Sequence, residues 1–192
     1  MSPANVACVI LASGLSERFG EQDKLSADLC GKPVLAHVLD TAQAVGFGDI
    51  FCVSKAADID SVQLVKNDYP EYGQGHALRL GLAAARKSEW KVCVILLGDM
   101  PLVTSSYIKT LIGKKQENQC VVSLSKSIRM PPAIFNAAAM DIILAQETAL
   151  GARDLFDLLK PKTLELDAFA AHDVDTPADL ARVMQMMKAR QI

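Results

Sequence analysis

Two runs of six residues without a polar side chain constrain this chain more than any other feature: Val6-Ala7-Cys8-Val9-Ile10-Leu11 and Val92-Cys93-Val94-Ile95-Leu96-Leu97. A strand with one wet face alternates apolar and polar residues. A short run that is apolar throughout reads instead as a strand covered on both faces. Helical patterns separate the runs. Leu35, Val38, Leu39 and Ala42 fall at i, i+3, i+4 and i+7, with Pro33 near the start and Gly46 at the end. Leu78, Gly81, Leu82 and Ala85 again share one helix face. Residues 49–54 read as a second strand, 63–66 as a short third and 120–124 as another. A helix is expected over 104–116, with Ile108, Leu111 and Ile112 inward.

Strand–helix alternation over residues 1–125 predicts an α/β chain with a mostly parallel, twisted sheet. The last third is less regular. Residues 136–145 and 151–159 look helical, and 163–166 look like a short strand. Thr176-Pro177-Ala178-Asp179 opens a final helix: Thr176 can cap, Pro177 suits the first helical position and Asp179 occupies the capping-box site. Leu180, Val183, Met184 and Met187 give that helix its inner face. A chain of 192 residues, against roughly 150 for a typical domain, is expected to form one domain.

Composition excludes several classes. With 51% hydrophobic and 22% charged residues, the chain is not disordered. Its 20 basic and 22 acidic residues leave no cationic excess for nucleic acid or an anionic membrane. The apolar run at 6–12 is far short of the ~20 residues that cross a bilayer, and residues 1–5 carry no basic signal-peptide region. Cys8, Cys30, Cys52, Cys93 and Cys120 are odd in number and form no C-x-x-C pair, so neither a zinc knuckle nor a dithiol site is indicated. A soluble protein of the reducing cytoplasm is expected. His37 and His172 read as structural, the latter at a strand edge, while His76 stands near a loop that can meet ligand.

In a parallel sheet, ligands sit at the carboxyl ends of the strands. After the first apolar run comes Leu11-Ala12-Ser13-Gly14-Leu15-Ser16-Glu17-Arg18-Phe19-Gly20, then Asp23-Lys24. Small residues at 12–14 let backbone amides approach a ligand, and Gly14 permits positive φ. Ser16 adds a hydroxyl; Arg18 and Lys24 add fixed positive charge. Amides with two cations suit a polyphosphate, although a polar surface loop with two solvated cations has the same composition. Lys24 is expected to be an exposed loop lysine, one whose loss would hurt turnover far more than stability. After the second run, Gly98-Asp99-Met100-Pro101 puts a carboxylate where it can hold Mg²⁺ or make an Asx turn. Asp173 and Asp175 share one face if extended; either can be a second metal ligand, or both can serve the following helix dipole.

These segments resemble the molybdenum cofactor nucleotidyltransferase family, whose members carry a MobA-like NTP transferase domain. The loop at 11–24 resembles the signature LAAGxSxRMG…K. Tyr72-Gly73-Gln74-Gly75, Gly98-Asp99-Met100-Pro101, Gly151-Ala152-Arg153 and Asp173-Val174-Asp175-Thr176-Pro177 follow in the family's order and span nearly the whole chain. The resemblance implies a three-layer Rossmann-like nucleotidyltransferase fold in a single domain, 1–192. Residues 1–125 would bind nucleotide, and 126–192 would face the acceptor and complete the metal site. It implies that Ala12, Ser13 and Gly14 line base and ribose, and that Arg18 and Lys24 bind the triphosphate. Leu11, Ser16, Gln74, Gly75 and Gly98 would complete the nucleotide-binding set. Asp99 and Asp175 would hold Mg²⁺, and Lys24, Arg18 and Asp99 would act in catalysis. Arg129 and Arg153 would face the acceptor.

Three departures stand out. Phe19 replaces the usual Met, His76 stands where small residues are common, and the stretch at 129–135 lacks the Arg-Gly-His-Pro of the better-known cytidylyltransferases. The last bears on the acceptor more than on the reaction. Guanylyl-transferring relatives have Leu-Ala-Gly-Gly in the first loop, whereas Ala12-Ser13-Gly14 is closer to the Leu-Ala-Ala-Gly of cytidylyl-transferring ones. The implied reaction is transfer of CMP from CTP to molybdopterin, with pyrophosphate released and the product handed transiently to a molybdoenzyme or its chaperone. Guanylyl transfer, another phosphorylated acceptor, or nucleotide binding without turnover are the alternatives.

Overall fold

The first apolar run forms β1 (Ala7–Ala12), and all six of its residues are buried. The computed structural model describes residues 1–20, 23–55, 59, 61–115, 120–146, 154 and 158–190. Alternate β1 side chains serve two separate cores. Cys8, Ile10 and Ala12 point into one, and Ala7, Val9 and Leu11 into the other. The second run forms β6 (Val92–Leu97), which pairs with one edge of β1; β4 (Asp49–Ser54) pairs with the other edge, and both pairings are parallel. β5 (Gln63–Lys66) extends the sheet in parallel beyond β4. Two covered faces explain why no polar residue interrupts the central runs.

Helices cover both faces. α1 (Val34–Val45), α3 (Ser105–Lys114) and α5 (Pro177–Arg190) contribute to the first core, while α2 (Gly73–Lys87) and α4 (Ala137–Leu144) contribute to the second. The caps follow local chemistry. Thr104 Oγ1 accepts the Tyr107 N–H at 3.3 Å, and Asn136 Oδ1 accepts the Ala139 N–H at 2.8 Å. Thr176 and Asp179 form the expected reciprocal box, with Asp179 N–H on Thr176 Oγ1 at 3.2 Å and Thr176 N–H on Asp179 Oδ2 at 3.0 Å. Gly81 lets α2 settle onto the sheet, because a Cβ there would overlap Val9 and Val53. A small hairpin, β2 (Asp28–Leu29) and β3 (Lys32–Pro33), precedes α1.

One strand departs from the sequence reading. β8 (Ile128–Asn136) inserts antiparallel between β6 and β7 (Val121–Ser125), and β9 (Lys162–Glu165) then pairs parallel with β7. The strand order is β5-β4-β1-β6-β8-β7-β9. Pro131 and Pro132 disguise β8, because proline lacks the N–H a central strand needs. The strand tolerates them in a bulge: Val122 faces Ala133, but Ser123 already faces Met130. Ser123 Oγ then donates to the Pro132 carbonyl at 2.6 Å and secures the irregularity. The helix expected at 151–159 falls largely outside the described residues. No helix among the described residues is long and apolar enough to cross a membrane.

Candidate active site

A cleft of about 540 Å³ opens at the carboxyl ends of β1, β5 and β6. Its wall over β6 is ionic. Lys24 Nζ donates to Asp99 Oδ2 at 2.6 Å and to Asp175 Oδ1 at 2.7 Å. Arg18 donates to the other Asp175 oxygen, Oδ2, at 2.6 Å. The two basic residues differ in setting, for the Lys24 side chain is 10% exposed and that of Arg18 is 72% exposed. The expectation of an exposed Lys24 is therefore overturned. The ammonium is buried because two carboxylates compensate its lost hydration.

Local structure delivers each group. Ser16 takes the left-handed region, φ 57°, and its hydroxyl donates to Asp23 Oδ1 at 2.8 Å while accepting the Lys24 N–H at 3.4 Å. Asp23 Oδ1 also accepts the Leu25 N–H, so this carboxylate folds the loop back and turns Lys24 inward. Gly14 does not adopt positive φ; the sharp turns fall at Ser16 and Gly20. Asp99 follows β6, and its backbone carbonyl accepts the Val174 N–H at 2.9 Å. That bond, with Val174 wholly buried, brings Asp175 to Lys24.

The charges perturb one another. Burial pushes the Lys24 ammonium down, but the negative charge of Asp99 and hydrogen bonds to both carboxylates outweigh it and raise it. Burial pushes Asp175 up, but Lys24 and then Arg18 hold it below the usual carboxylate range. Asp173 is raised, first by desolvation of its carboxyl and then by the charges of Asp175 and Asp99. Among the described residues, Asp99 Oδ1 is buried and accepts no hydrogen bond. Such an acceptor costs free energy unless a cation or donor meets it. An orphaned carboxylate oxygen beside a second carboxylate suits a hard divalent cation. No cluster of three or more His, Cys, Asp or Glu residues that could hold a metal occurs among the described residues.

The wall over β4 and β5 is different. Ser13, Pro70, Gly73, Gln74 and Ala77 line it, with Glu71 its charged member. Ser13 is buried, and its Oγ accepts a hydrogen bond from Asn67 Nδ2 at 2.9 Å. Tyr69 and Tyr72 stack outside at 5.4 Å, and His76 meets the Tyr72 ring edge-on.

The structure brings Leu11, Ala12, Ser13, Gly14, Ser16, Arg18, Lys24, Gln74, Asp99 and Asp175 into one cleft. Gly75 and Gly98 do not line it. Gly75 is buried in α2. Gly98 lets β1 and β6 approach at their ends; its N–H bonds the Leu11 carbonyl at 2.9 Å, and a Cβ would lie 3.2 Å from that oxygen. Arg129 is exposed near the start of β8, toward the carboxyl end of β6 but outside the cleft lining. Arg153 lies outside the described residues. His37 is structural, its Nε2 2.7 Å from the Leu29 carbonyl. His172 sits in a loop rather than at a strand edge, with Nδ1 3.2 Å from the Phe169 carbonyl. From the sequence, Asp23 is named without a role and Asn67 is left out, although Asn67 follows a strand's carboxyl end as Ser13 and Asp99 do.

Fold and cleft together define a Rossmann-like α/β protein with its ligand site at the carboxyl strand ends. A sequence profile of the MobA-like NTP transferase domain matches residues 8–166, and the chain belongs to that family. It is 28% identical over 184 residues to a probable molybdenum cofactor guanylyltransferase of Haloferax mediterranei, covering 91% of this chain and 85% of that one. It is 39% identical over 119 residues to the bifunctional protein GlmU of Halorhodospira halophila, covering 57% of this chain and 24% of the relative. The chain thus spans about a quarter of the GlmU protein it matches. A nucleotidyl transferase from Methanothermobacter shares the fold with a TM-score of 0.82 at 15% identity, covering 96% of this chain and 98% of the other.

Proposed function

We propose that the chain transfers CMP from CTP to a phosphorylated acceptor of the molybdopterin type and releases pyrophosphate. The observation that carries this reading is the cation–carboxylate cluster of Arg18, Lys24, Asp99 and Asp175 at one end of a cleft whose other end is lined by Ser13, Gln74 and Ala77. A triphosphate suits the first end and a base the second. Asp99 and Asp175 would hold Mg²⁺, which when bound supplies positive charge to the triphosphate.

An oxygen of the acceptor phosphate attacks the α-phosphorus, and the bond from that phosphorus to the bridging oxygen breaks. The electron pair leaves with pyrophosphate. The acceptor phosphate is already anionic, so little base catalysis is needed. Alignment and charge neutralisation make the larger contribution. Lys24 exchanges its carboxylate partners for phosphate oxygens when nucleotide enters, and Arg18, already at the cleft mouth, reaches phosphate as a planar fork. The side chain of Ser13 narrows the space a purine edge would need. An unmatched buried contact costs enough for ~10²-fold discrimination.

Pyrophosphate release from Mg-CTP, with and without molybdopterin, tests the reaction; acceptor-dependent release is expected. Nucleotide binding without release would leave a binding protein. Guanylyl transfer is the second reading, and the Haloferax relative favours it. Mass spectrometry of the product from a mixture of NTPs separates the two: a cytosine dinucleotide supports the first, a guanine dinucleotide the second.

A further inference from the structure

We infer that Asn67 determines base selectivity without touching the base, by fixing Ser13 as a hydrogen-bond donor to the ligand. The inference rests on the proposed location of the base beside Ser13. Asn67 is 2% exposed and Ser13 5% exposed. The carboxamide has one possible orientation. Its Oδ1 accepts the Tyr69 N–H at 3.1 Å, so Nδ2 must face Ser13, whose Oγ lies 2.9 Å away. The Asn67 backbone N–H is tied to the Ser54 carbonyl at 2.9 Å, which fixes the residue across the end of β4.

A hydroxyl has one proton to donate and can accept in return. At Ser13 one of the two accepting lone pairs is taken by Asn67, which cannot itself accept there, so the hydroxyl proton must find its acceptor elsewhere. Among the described residues the Ser13 side chain bonds Asn67, and the hydroxyl proton is left for the cleft that Ser13 lines. Ser13 therefore offers a donor and favours a base with an acceptor opposite it, such as cytosine N3. Uracil presents an N–H at that atom. Guanine and adenine differ by the same reversal at their pairing edge.

Asn67→Asp keeps the shape and reverses this polarity. One carboxylate oxygen still accepts the Tyr69 N–H. The other can only accept from Ser13, which then turns its proton away from the cleft and presents a lone pair. Dissociation constants for CTP, UTP, GTP and ATP with MgCl₂, measured by calorimetry on the intact chain, test this. The wild type is expected to favour CTP over UTP. Asn67→Asp is expected to shift the ratio within the favoured pair by roughly tenfold or more, toward the member carrying a donor where the other carries an acceptor. In a Ser13→Ala background the same substitution should leave the ratio unchanged, because its route to the base is gone. Equal weakening toward all four nucleotides, or a shift that persists without the Ser13 hydroxyl, would overturn the inference. A wild type that favours GTP removes the cytidylyl reading, and the GTP:ATP ratio then decides this inference. A wild type that binds none of the four overturns both.

Discussion

The two walls of the cleft solve opposite problems. Over β6, four charged side chains meet in ion pairs and, among the described residues, one carboxylate oxygen is left without a partner. Over β4 and β5, two neutral side chains are buried and fixed by hydrogen bonds. Charge that can exchange partners suits phosphate chemistry, since an ammonium must trade one anion for another. Neutral groups with a single allowed orientation suit discrimination, since they penalise a mismatched base.

The sharpest break in the comparison is Asp99→Asn, which keeps shape and removes charge from the β6 wall. Turnover should fall roughly a hundredfold or more, with Asp175→Asn also severe and Asp173→Asn milder. Steady-state rates at saturating Mg²⁺ check this, and wild-type turnover in Asp99→Asn would remove the metal assignment. Next in size is Lys24→Ala, which leaves Asp99 and Asp175 facing each other. Beyond lost turnover, a stability loss of about 1–3 kcal/mol is expected in denaturant titrations, because a partly buried carboxylate loses its compensating charge. Lys24→Ala with Asp175→Asn should recover part of it. An unchanged midpoint in the single variant would mean that the ion pairs contribute nothing to folding.

On the opposite wall, if the proposed CTP-over-GTP preference holds, Ser13→Gly should narrow it in kcat/KM by roughly tenfold without reversing it, since other loop groups would also read the base. Reversal by this one change would make Ser13 the whole of the selectivity. The smallest effect concerns Asp173. Its raised carboxyl binds a proton more tightly in the folded state than in the unfolded chain, so its ionised form opposes folding at neutral pH. That penalty fades as pH falls through the folded value toward the ordinary carboxylate range near ~4. In the nucleotide-free protein with chelator present, Asp173→Asn should raise the thermal midpoint at pH 7 and do little below pH ~4. Asp175 runs the other way: its depressed carboxyl stabilises the fold above the ordinary range, and this is lost as pH falls through its lower folded value. A gain from Asp173→Asn that is equal at both pH values would exclude the charge explanation.

Legibility in the sequence follows the range of the interaction. The central strands were readable because burial on two faces leaves a local mark, apolar residues at every position of β1. The box at Thr176 and Asp179 was readable because its partners are three residues apart. β8 was hidden, since Pro131 and Pro132 contradict a strand until the bulge opposite Ser123 is known. The burial of Lys24 was unreadable, because the carboxylates that make it affordable lie 75 and 151 residues away. Asn67 carries a local signal, since it directly follows the carboxyl end of β5 as Ser13 follows that of β1.

The bond from Val174 to the Asp99 carbonyl, which sets Asp175 beside Lys24, also gives the molecule an order in time. At about 5–20 residues per second of synthesis, Lys24 is made roughly 8–30 s before Asp175. β1, β4 and β5, with Ser13 and Asn67, are complete on the growing chain once residue 67 is made, roughly 5–20 s before the second carboxylate. On the proposed reading, the groups that would discriminate are synthesised before the ionic wall is complete, so a nascent chain would possess the elements of selectivity before the means of reaction.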